Sequence, residues 1–386
     1  MSKKQDLDRL LEEFVKNGPS GCGCAVARKG ETIYEGYFGY ADREKQIPLT
    51  QDSVFRLYSM TKVIICTAAM MLFERGKFLL NEPISEYFPE WKNTMKARTL
   101  SDGRVETVPV EHPILVKHCF SMGMGIGYGG DDLTHREAAR VRQELRDTVG
   151  KYTLRQDIRA MSQVPIAFEP GTHFLYGFGH ELVAGLIEVA SGKTVGQFLK
   201  EEIFEPLGMT STGYRFFDDI ESRMVVPYER DMIGRLAPST RNWDERHQPD
   251  EVYEAGGAGL FSTVRDYLTF TQMLANGGKH NGQQIIGRKT IDLMRQNQLC
   301  PSALEDFTNS YNAGYGYGLG VRTMMDLASG NCNTSVGEFG WTGMMGTWTA
   351  IDPSEGVSAV YMHNMLPNME EYHHLRVRAA AFGLVE

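Results

Sequence analysis

The sequence predicts an α+β fold with two lobes. Strand-like segments occur near both ends of the 386-residue chain, whereas the middle has the apolar periodicity of helices. An antiparallel sheet built from both chain ends and flanked by helices, with a mostly helical lobe inserted between its halves, accounts for this distribution. We therefore expect an α/β sheet domain from residues 1–57 and 256–386, a mainly helical domain from 58–255, and an active site in the cleft between them.

The N-terminal segment predicts one helix followed by a hairpin. Five apolar residues recur at helical spacing and are followed by Gly18-Pro19, which ends the helix: Leu7, Leu10, Leu11, Phe14 and Val15. Residues 22–28 and 32–40 are rich in strand-forming residues. The intervening Lys29-Gly30-Glu31 predicts a tight turn, so the two segments should pair as a β-hairpin.

The middle of the chain predicts a series of helices, several of which end at glycine. Their expected ranges are 60–75, 133–149, 178–190, 194–205 and 263–275. Strand patterns then return at 315–324, 335–340, 346–352 and 356–364, and a last helix is expected over 369–383. These late strands would join the N-terminal hairpin in one sheet.

Composition and charge exclude several classes of function. The chain has 40 basic and 49 acidic residues and a formal net charge of −9, so it lacks the positive field that holds nucleic acid. The most apolar run, 63–73, is shorter than the roughly 18 residues needed to cross a bilayer, which argues against a membrane partner. The N-terminus lacks the apolar region of a signal peptide, and the six cysteines show no CxxC spacing. We expect reduced thiols and a cytoplasmic protein.

Three possible cofactor or metal motifs lack either a required residue or the structural unit that should follow. The helix beginning His180-Glu181 has Ala184 where a zinc-protease motif needs its second histidine. A possible phosphate-binding loop at 187–194 has Ile187 in place of its first glycine. The glycines at 125, 127 and 130 match a dinucleotide fingerprint, but no βαβ unit follows them. We therefore expect no cofactor and no metal.

One short motif indicates chemistry. Ser59 and Lys62 form the S-x-x-K sequence of this chain, at the start of a segment that is apolar nearly all round. Residues three apart on a helix lie on the same face, so the hydroxyl and the amine can share a proton. The alternative is a serine that caps the helix and a lysine that extends to solvent.

One stretch of the chain comprises residues 55–62 (Phe-Arg-Leu-Tyr-Ser-Met-Thr-Lys), the apolar helix, and Leu80-Asn81-Glu82-Pro83-Ile84. It resembles the nucleophile segment of the serine β-lactamase and penicillin-binding-protein superfamily. The likeness is to its class C β-lactamase-like branch. Phe168-Glu169-Pro170-Gly171 leading to Tyr176 is similar to the second motif, and Gly340-Trp341-Thr342-Gly343 lies where the third is expected. Residues 256–263 resemble the family's return to the sheet. The resemblance covers about residues 20–365 and implies a β-lactamase-like fold.

Two departures from the class C pattern bear on substrate. The second motif there is Tyr-x-Asn, and this chain has Phe178 in place of the asparagine. The third motif is Lys-Thr-Gly, and here Trp341 replaces the lysine that would meet a substrate carboxylate. Tryptophan at this position resembles the esterase branch of the superfamily, the family VIII carboxylesterases. Both departures favour uncharged esters over anionic β-lactams.

The resemblance implies a role for each motif residue. Ser59 would be the nucleophile, Lys62 its proton acceptor, and Tyr176 the group that protonates the leaving alkoxide. Backbone N–H groups of Ser59 and Met344 would form the oxyanion hole. Substrate would contact six further residues: Trp341, Thr342, Gly343, Phe178, Met122 and Tyr128.

Three functions remain open at this level. The first is a serine hydrolase (a carboxylesterase) that cleaves small or medium uncharged acyl esters through an acyl-enzyme on Ser59. The second, on the same fold, is a β-lactamase, a D-amino-acid peptidase or an acyltransferase. The third is a catalytically silent binding protein, against which the presence of Ser59, Lys62 and Tyr176 argues. The expected partner is a small-molecule ester, and the sequence does not define an oligomeric state.

Overall fold

A central antiparallel sheet organises the protein, and the computed structural model describes residues 2–385. The strands follow one another along the chain as β1 Gly21–Arg28, β2 Glu31–Asp42, β3 Ile47–Pro48, β4 Phe55–Arg56, β5 Met95–Thr99, β6 Val105–Pro109, β7 Tyr228–Arg230, β8 Leu236–Pro238, β9 Phe261–Ser262, β10 Lys279–His280, β11 Gln283–Gln284, β12 Tyr315–Tyr317, β13 Arg322–Met324, β14 Phe339–Gly340, β15 Trp348–Asp352, β16 Val357–Met362 and β17 Met365–Leu366. Eight of these form the main sheet, in the order β12-β13-β14-β15-β16-β1-β2-β3.

Helices flank the sheet and fill the middle of the chain. They are α1 Lys3–Asn17, α2 Thr61–Glu74, α3 Val116–Phe120, α4 Leu133–Val149, α5 Leu154–Met161, α6 Gly179–Ser191, α7 Val195–Leu199, α8 Glu205–Leu207, α9 Ile220–Arg223, α10 Val264–Ala275, α11 Arg288–Met294, α12 Pro301–Phe307, α13 Leu327–Gly330 and α14 Glu370–Phe382. Within residues 2–385, no helix is both long enough and apolar enough to cross a membrane.

Pairing between β1 and β16 joins the two ends of the chain. The strands are antiparallel, with Gly23 opposite Met362 and Arg28 opposite Val357. β1 also pairs with β2 in the hairpin that the sequence predicted. The predicted α+β fold, with a sheet assembled from both chain ends, is therefore confirmed. The division into domains at residues 57 and 256 stays a prediction.

Alternation along β1 explains how the sheet is covered on both faces. Cys24 and Val26 face a cluster with α1 and α14, whereas Ala25 and Ala27 face the main core. Successive side chains of a strand point to opposite faces, so a strand buried on both sides reads as a continuous apolar run. All eight residues of β1 except Arg28 are buried.

Several element boundaries differ from the sequence-based expectation. The predicted strand at 335–340 is limited to β14, and the segment 315–324 is a hairpin of two short strands, β12 and β13. The predicted helix at 194–205 consists of α7, a π-helical turn over Lys200–Phe204, and α8. The hairpin β5–β6 was not predicted, because its exposed residues show no apolar alternation against a core.

Candidate active site

Ser59 lies on a single 3₁₀ turn, Tyr58–Met60, that leads directly into α2. The segment before it is held by β4, which pairs with β9. The Leu57 N–H also donates a hydrogen bond to the Leu260 carbonyl at 2.9 Å. Because β9 belongs to the segment that returns from the helical region to the sheet, both halves of the chain meet at Ser59.

Tyr58, directly before Ser59, has an unusual backbone conformation. Its φ is +46°, a region that residues other than glycine seldom adopt. Its ring contacts Trp243 edge-on at a centroid distance of 6.2 Å. Such strain persists where surrounding contacts fix it, and it is concentrated at functional sites. Tyr58 and Ser59 both line a cleft of about 920 Å³.

Lys62 is fully buried beneath this cleft. Its Nζ donates hydrogen bonds to Ser59 Oγ at 3.1 Å and to the Gly257 carbonyl at 2.5 Å. The ring centroids of Tyr128 and Tyr176 lie 4.9 and 4.7 Å from the same nitrogen. A buried amine destabilises the fold unless it has polar partners, and these four contacts provide them. The predicted contact between Ser59 and Lys62 is present.

The Tyr176 hydroxyl is positioned by Trp341. The indole Nε1–H of Trp341 donates a hydrogen bond to the Tyr176 hydroxyl oxygen at 2.9 Å, and the two ring centroids are 5.5 Å apart. Tyr128 packs edge-on against Tyr176 at 5.4 Å. Trp341 was expected only as a substrate contact, so its hydrogen bond to Tyr176 is a feature that sequence reasoning missed.

The turn after β14 approaches the Ser59 segment from the sheet. A Cβ on Gly343 would lie 2.2 Å from the Leu57 carbonyl oxygen, so only glycine allows this contact. Met344 follows and lines the cleft. Ser59 lines the same cleft, and the oxyanion hole formed by the backbone N–H groups of Ser59 and Met344 stays a prediction.

Acidic and amide side chains form the far end of the cleft, beyond Trp341. Thr342 Oγ1 donates a hydrogen bond to Glu370 Oε2 at 3.4 Å, and Asn368 Nδ2 donates to the same oxygen at 3.3 Å. Glu371 lines the cleft beside them. Burial raises the pKa of Glu370 despite these hydrogen bonds. This end therefore presents acceptors where the class C pattern has a lysine.

Two predicted substrate contacts are wrong. Phe178 is 1% exposed and stacks on Trp91 in the core, with a centroid distance of 6.4 Å. Met122 is fully buried, and its sulfur accepts a hydrogen bond from the Gly177 N–H. Neither residue lines the cleft, because both side chains are packed in the main hydrophobic core. Tyr128, by contrast, is 46% exposed and lines the cleft with Thr342 and Gly343.

Glu181 is a cleft residue that sequence reasoning did not select. It lies in the first turn of α6 and is 5% exposed. Its Oε1 accepts a hydrogen bond from the Gly257 N–H at 3.3 Å. The carbonyl of the same residue accepts the hydrogen bond from Lys62, so the Gly257 backbone links the two side chains. Burial raises the pKa of Glu181 to about 7, although Lys62 and Arg142 oppose the shift. Its sequence signal was a carboxylate directly before the apolar run 182–187.

A comparison with family models identifies the chain. The model described as Beta-lactamase matches residues 7–383. The chain belongs to the Beta-lactamase family. It is accordingly a serine hydrolase of the β-lactamase and penicillin-binding-protein superfamily, which confirms the resemblance seen in the sequence. No group of three or more His, Cys, Asp or Glu side chains within residues 2–385 is arranged to hold a metal ion.

Relatives of this Beta-lactamase-family chain include a named esterase. Esterase EstB of Burkholderia gladioli is 27% identical over an alignment of 374 positions, which covers 93% of this chain and 89% of that protein. The solved structure of EstCE1, a hydrolase with promiscuous acyltransferase activity, superposes with a TM-score of 0.81 at 24% identity, covering 99% and 98% of the two chains. The structure of simvastatin synthase (LovD) from Aspergillus terreus superposes with a TM-score of 0.84 at 21% identity, covering 99% of this chain and 98% of that one. These two structures share the fold.

The hydrogen bond from Trp341 to Tyr176 can be tested by removing the donor. Trp341→Phe keeps an aromatic ring but lacks the indole N–H, so we expect kcat for a para-nitrophenyl ester to fall about tenfold. In a Tyr176→Phe background the same change should have little further effect, because the acceptor is already absent. Unchanged kcat in the single variant, or equal losses in both backgrounds, would remove this role from Trp341.

Proposed function

We propose that this protein hydrolyses carboxylic esters of small or medium uncharged acyl groups through an acyl-enzyme on Ser59. The observation that carries the proposal is the contact between Lys62 Nζ and Ser59 Oγ at 3.1 Å, next to a Tyr176 hydroxyl held by Trp341. A nucleophile beside a proton acceptor that is itself oriented is the arrangement that covalent catalysis needs. The name of EstB as an esterase supports the same assignment.

In the acylation step, Ser59 Oγ attacks the ester carbonyl carbon and its proton passes to the Lys62–Tyr176 pair. The negative charge on the carbonyl oxygen is then stabilised by the N–H groups of Ser59 and Met344. Tyr176 gives a proton to the leaving alkoxide as the carbon–oxygen bond breaks. In the second step a water gives its proton to Tyr176 and its oxygen attacks the acyl carbon. The Lys62–Tyr176 pair then returns a proton to Ser59 Oγ as the bond between that oxygen and the acyl carbon breaks.

The far end of the cleft supports uncharged substrates. The leaving group must lie near the Tyr176 hydroxyl, and the walls beyond it are Trp341, Thr342 and Glu370. A β-lactam carboxylate placed there would meet Glu370 and Glu371 instead of a lysine. Like charges in a partly buried site disfavour binding. Glu370 and Glu371 would therefore repel the β-lactam carboxylate, and no lysine at this position would attract it.

The proposed roles of Ser59, Lys62 and Tyr176 can be separated with a fluorophosphonate probe. The probe should label Ser59, and Lys62→Met should slow labelling by about 10²-fold or more, because proton removal is lost. Tyr176→Phe should reduce ester turnover far more than labelling, since the fluoride leaving group needs no proton. Ser59→Ala serves as the control. Labelling that survives Ser59→Ala would refute the assignment.

The preference for uncharged esters predicts a clear difference between substrate classes. We expect kcat/KM for para-nitrophenyl butanoate to exceed that for a chromogenic cephalosporin by about 10²-fold or more, since no lysine binds the carboxylate. Glu370→Gln should raise cephalosporin turnover by about threefold to tenfold by removing repulsion.

The matched control for that substitution is Glu305→Gln, which removes an exposed charge on α12 outside the cleft. It should leave kcat/KM for the ester and kcat/KM for the cephalosporin unchanged. Comparable kcat/KM values for the ester and the cephalosporin would favour the β-lactamase alternative over the esterase.

A further inference from the structure

A side arm of the cleft opens next to Ser59. It has a volume of about 420 Å³, and it shares Tyr58, Tyr128, Glu181 and Ala258 with the main cleft. The main cleft extends from these residues toward Trp341, whereas the side arm extends toward Trp243 and Tyr253. The two cavities therefore meet at the residues around Ser59 and leave it in different directions.

Two pairs of aromatic rings line the side arm. Tyr58 and Trp243 pack edge-on at 6.2 Å, and Tyr152 and Tyr253 pack edge-on at 5.6 Å. The guanidinium of Arg246 lies 4.9 Å from the Tyr253 ring centroid. Paired ring edges and a guanidinium plane are surfaces on which a planar aromatic group packs favourably.

Two acidic groups of the side arm, Asp157 and Glu181, differ in how they are satisfied. Asp157 accepts hydrogen bonds from Arg142 at 3.0 and 2.9 Å and from the Tyr253 hydroxyl at 2.7 Å. Arg246 forms an ion pair with Glu251 at 3.9 Å. Glu181 Oε2, by contrast, is buried and has no hydrogen-bond partner within residues 2–385. A buried acceptor without a partner destabilises a site until a ligand donor reaches it.

The mechanism assigns the two cavities to the two halves of an ester. This step rests on the proposed function. The leaving alcohol must lie by the Tyr176 hydroxyl, on the side of Trp341. The acyl group is bonded to the same carbonyl carbon, so it must leave Ser59 by the other opening, which is the side arm. An alkyl chain there would cover Glu181 Oε2 without satisfying it, which disfavours long aliphatic acyl groups.

We propose that the side arm binds an aromatic acyl group whose ring carries a hydrogen-bond donor, such as a phenolic hydroxyl, and that Glu181 Oε2 accepts the hydrogen bond from it. The rings of Tyr58, Trp243, Tyr152 and Tyr253 enclose the aromatic part. Glu181 is then the specificity-determining residue of the acyl side, and the acidic far end of the cleft contacts the alcohol.

The test compares two esters that differ by one hydroxyl. The para-nitrophenyl esters of phenylpropanoic acid and para-hydroxyphenylpropanoic acid have nearly equal chemical reactivity, because the ring is remote from the carbonyl. Wild-type kcat/KM should favour the hydroxylated ester about tenfold, and Glu181→Gln should reduce that ratio to about twofold or less. Using the ratio cancels any general effect of the substitution on Lys62.

Glu188→Gln is the matched control, since Glu188 lies on the same helix but lines neither cavity. It should leave the ratio unchanged. Should Glu181→Gln fail to fold, Trp243→Ala gives an independent measure. In that variant kcat/KM for both aromatic esters should fall about fivefold relative to kcat/KM for para-nitrophenyl butanoate. A wild-type ratio near one, or a ratio unaffected by Glu181→Gln, overturns the inference about the side arm. Failure to cleave any ester, together with no probe labelling of Ser59, would overturn the proposed function instead.

Discussion

The buried amine of Lys62 is the group on which the rest of the cleft depends. A polar nitrogen with no solvent exposure must be hydrogen-bonded, or its desolvation destabilises the fold by about 1–3 kcal/mol. The Gly257 carbonyl provides the shortest of its hydrogen bonds, and that residue lies in the segment that leads from the helical region back to the sheet. This hydrogen bond, together with the β4–β9 pairing, holds the start of α2 against the returning chain and keeps the amine beside Ser59.

The same requirement explains the crowding around position 257. A Cβ there would lie 1.9 Å from the Tyr128 hydroxyl oxygen, 3.0 Å from Glu181 Oε1 and 3.2 Å from Lys62 Nζ. Only glycine leaves room for these three side chains to approach the backbone of residue 257. The ring faces of Tyr128 and Tyr176 complete the enclosure and bring the Tyr176 hydroxyl to the cleft, where Trp341 fixes it. Each predicted catalytic group thus takes its position from the burial of Lys62.

The sequence was informative where local spacing determines the outcome. The contact of Ser59 with Lys62 follows from three-residue spacing on a helix, and the late strands could be recognised from their turns. Phe178 was misplaced because a motif position specifies the backbone but not the direction of a substituted side chain. Met122 was misplaced because an apolar residue in a loop can pack in the core as readily as it can line a cleft. Glu181, Trp243 and Tyr253 were missed for a different reason: they come together from distant segments around the side arm, and no local pattern relates them.

The central claim is that ester turnover proceeds through an acyl group on Ser59. The most direct measurement is rapid acid quenching of a reaction with para-nitrophenyl butanoate, followed by mass mapping of the peptides, in the wild type and in Tyr176→Phe, where slowed deacylation should let the intermediate accumulate. The account predicts a butanoyl group on the peptide that contains Ser59. Butanoylation of another residue, or ester hydrolysis with no acyl-enzyme in either form, would contradict it.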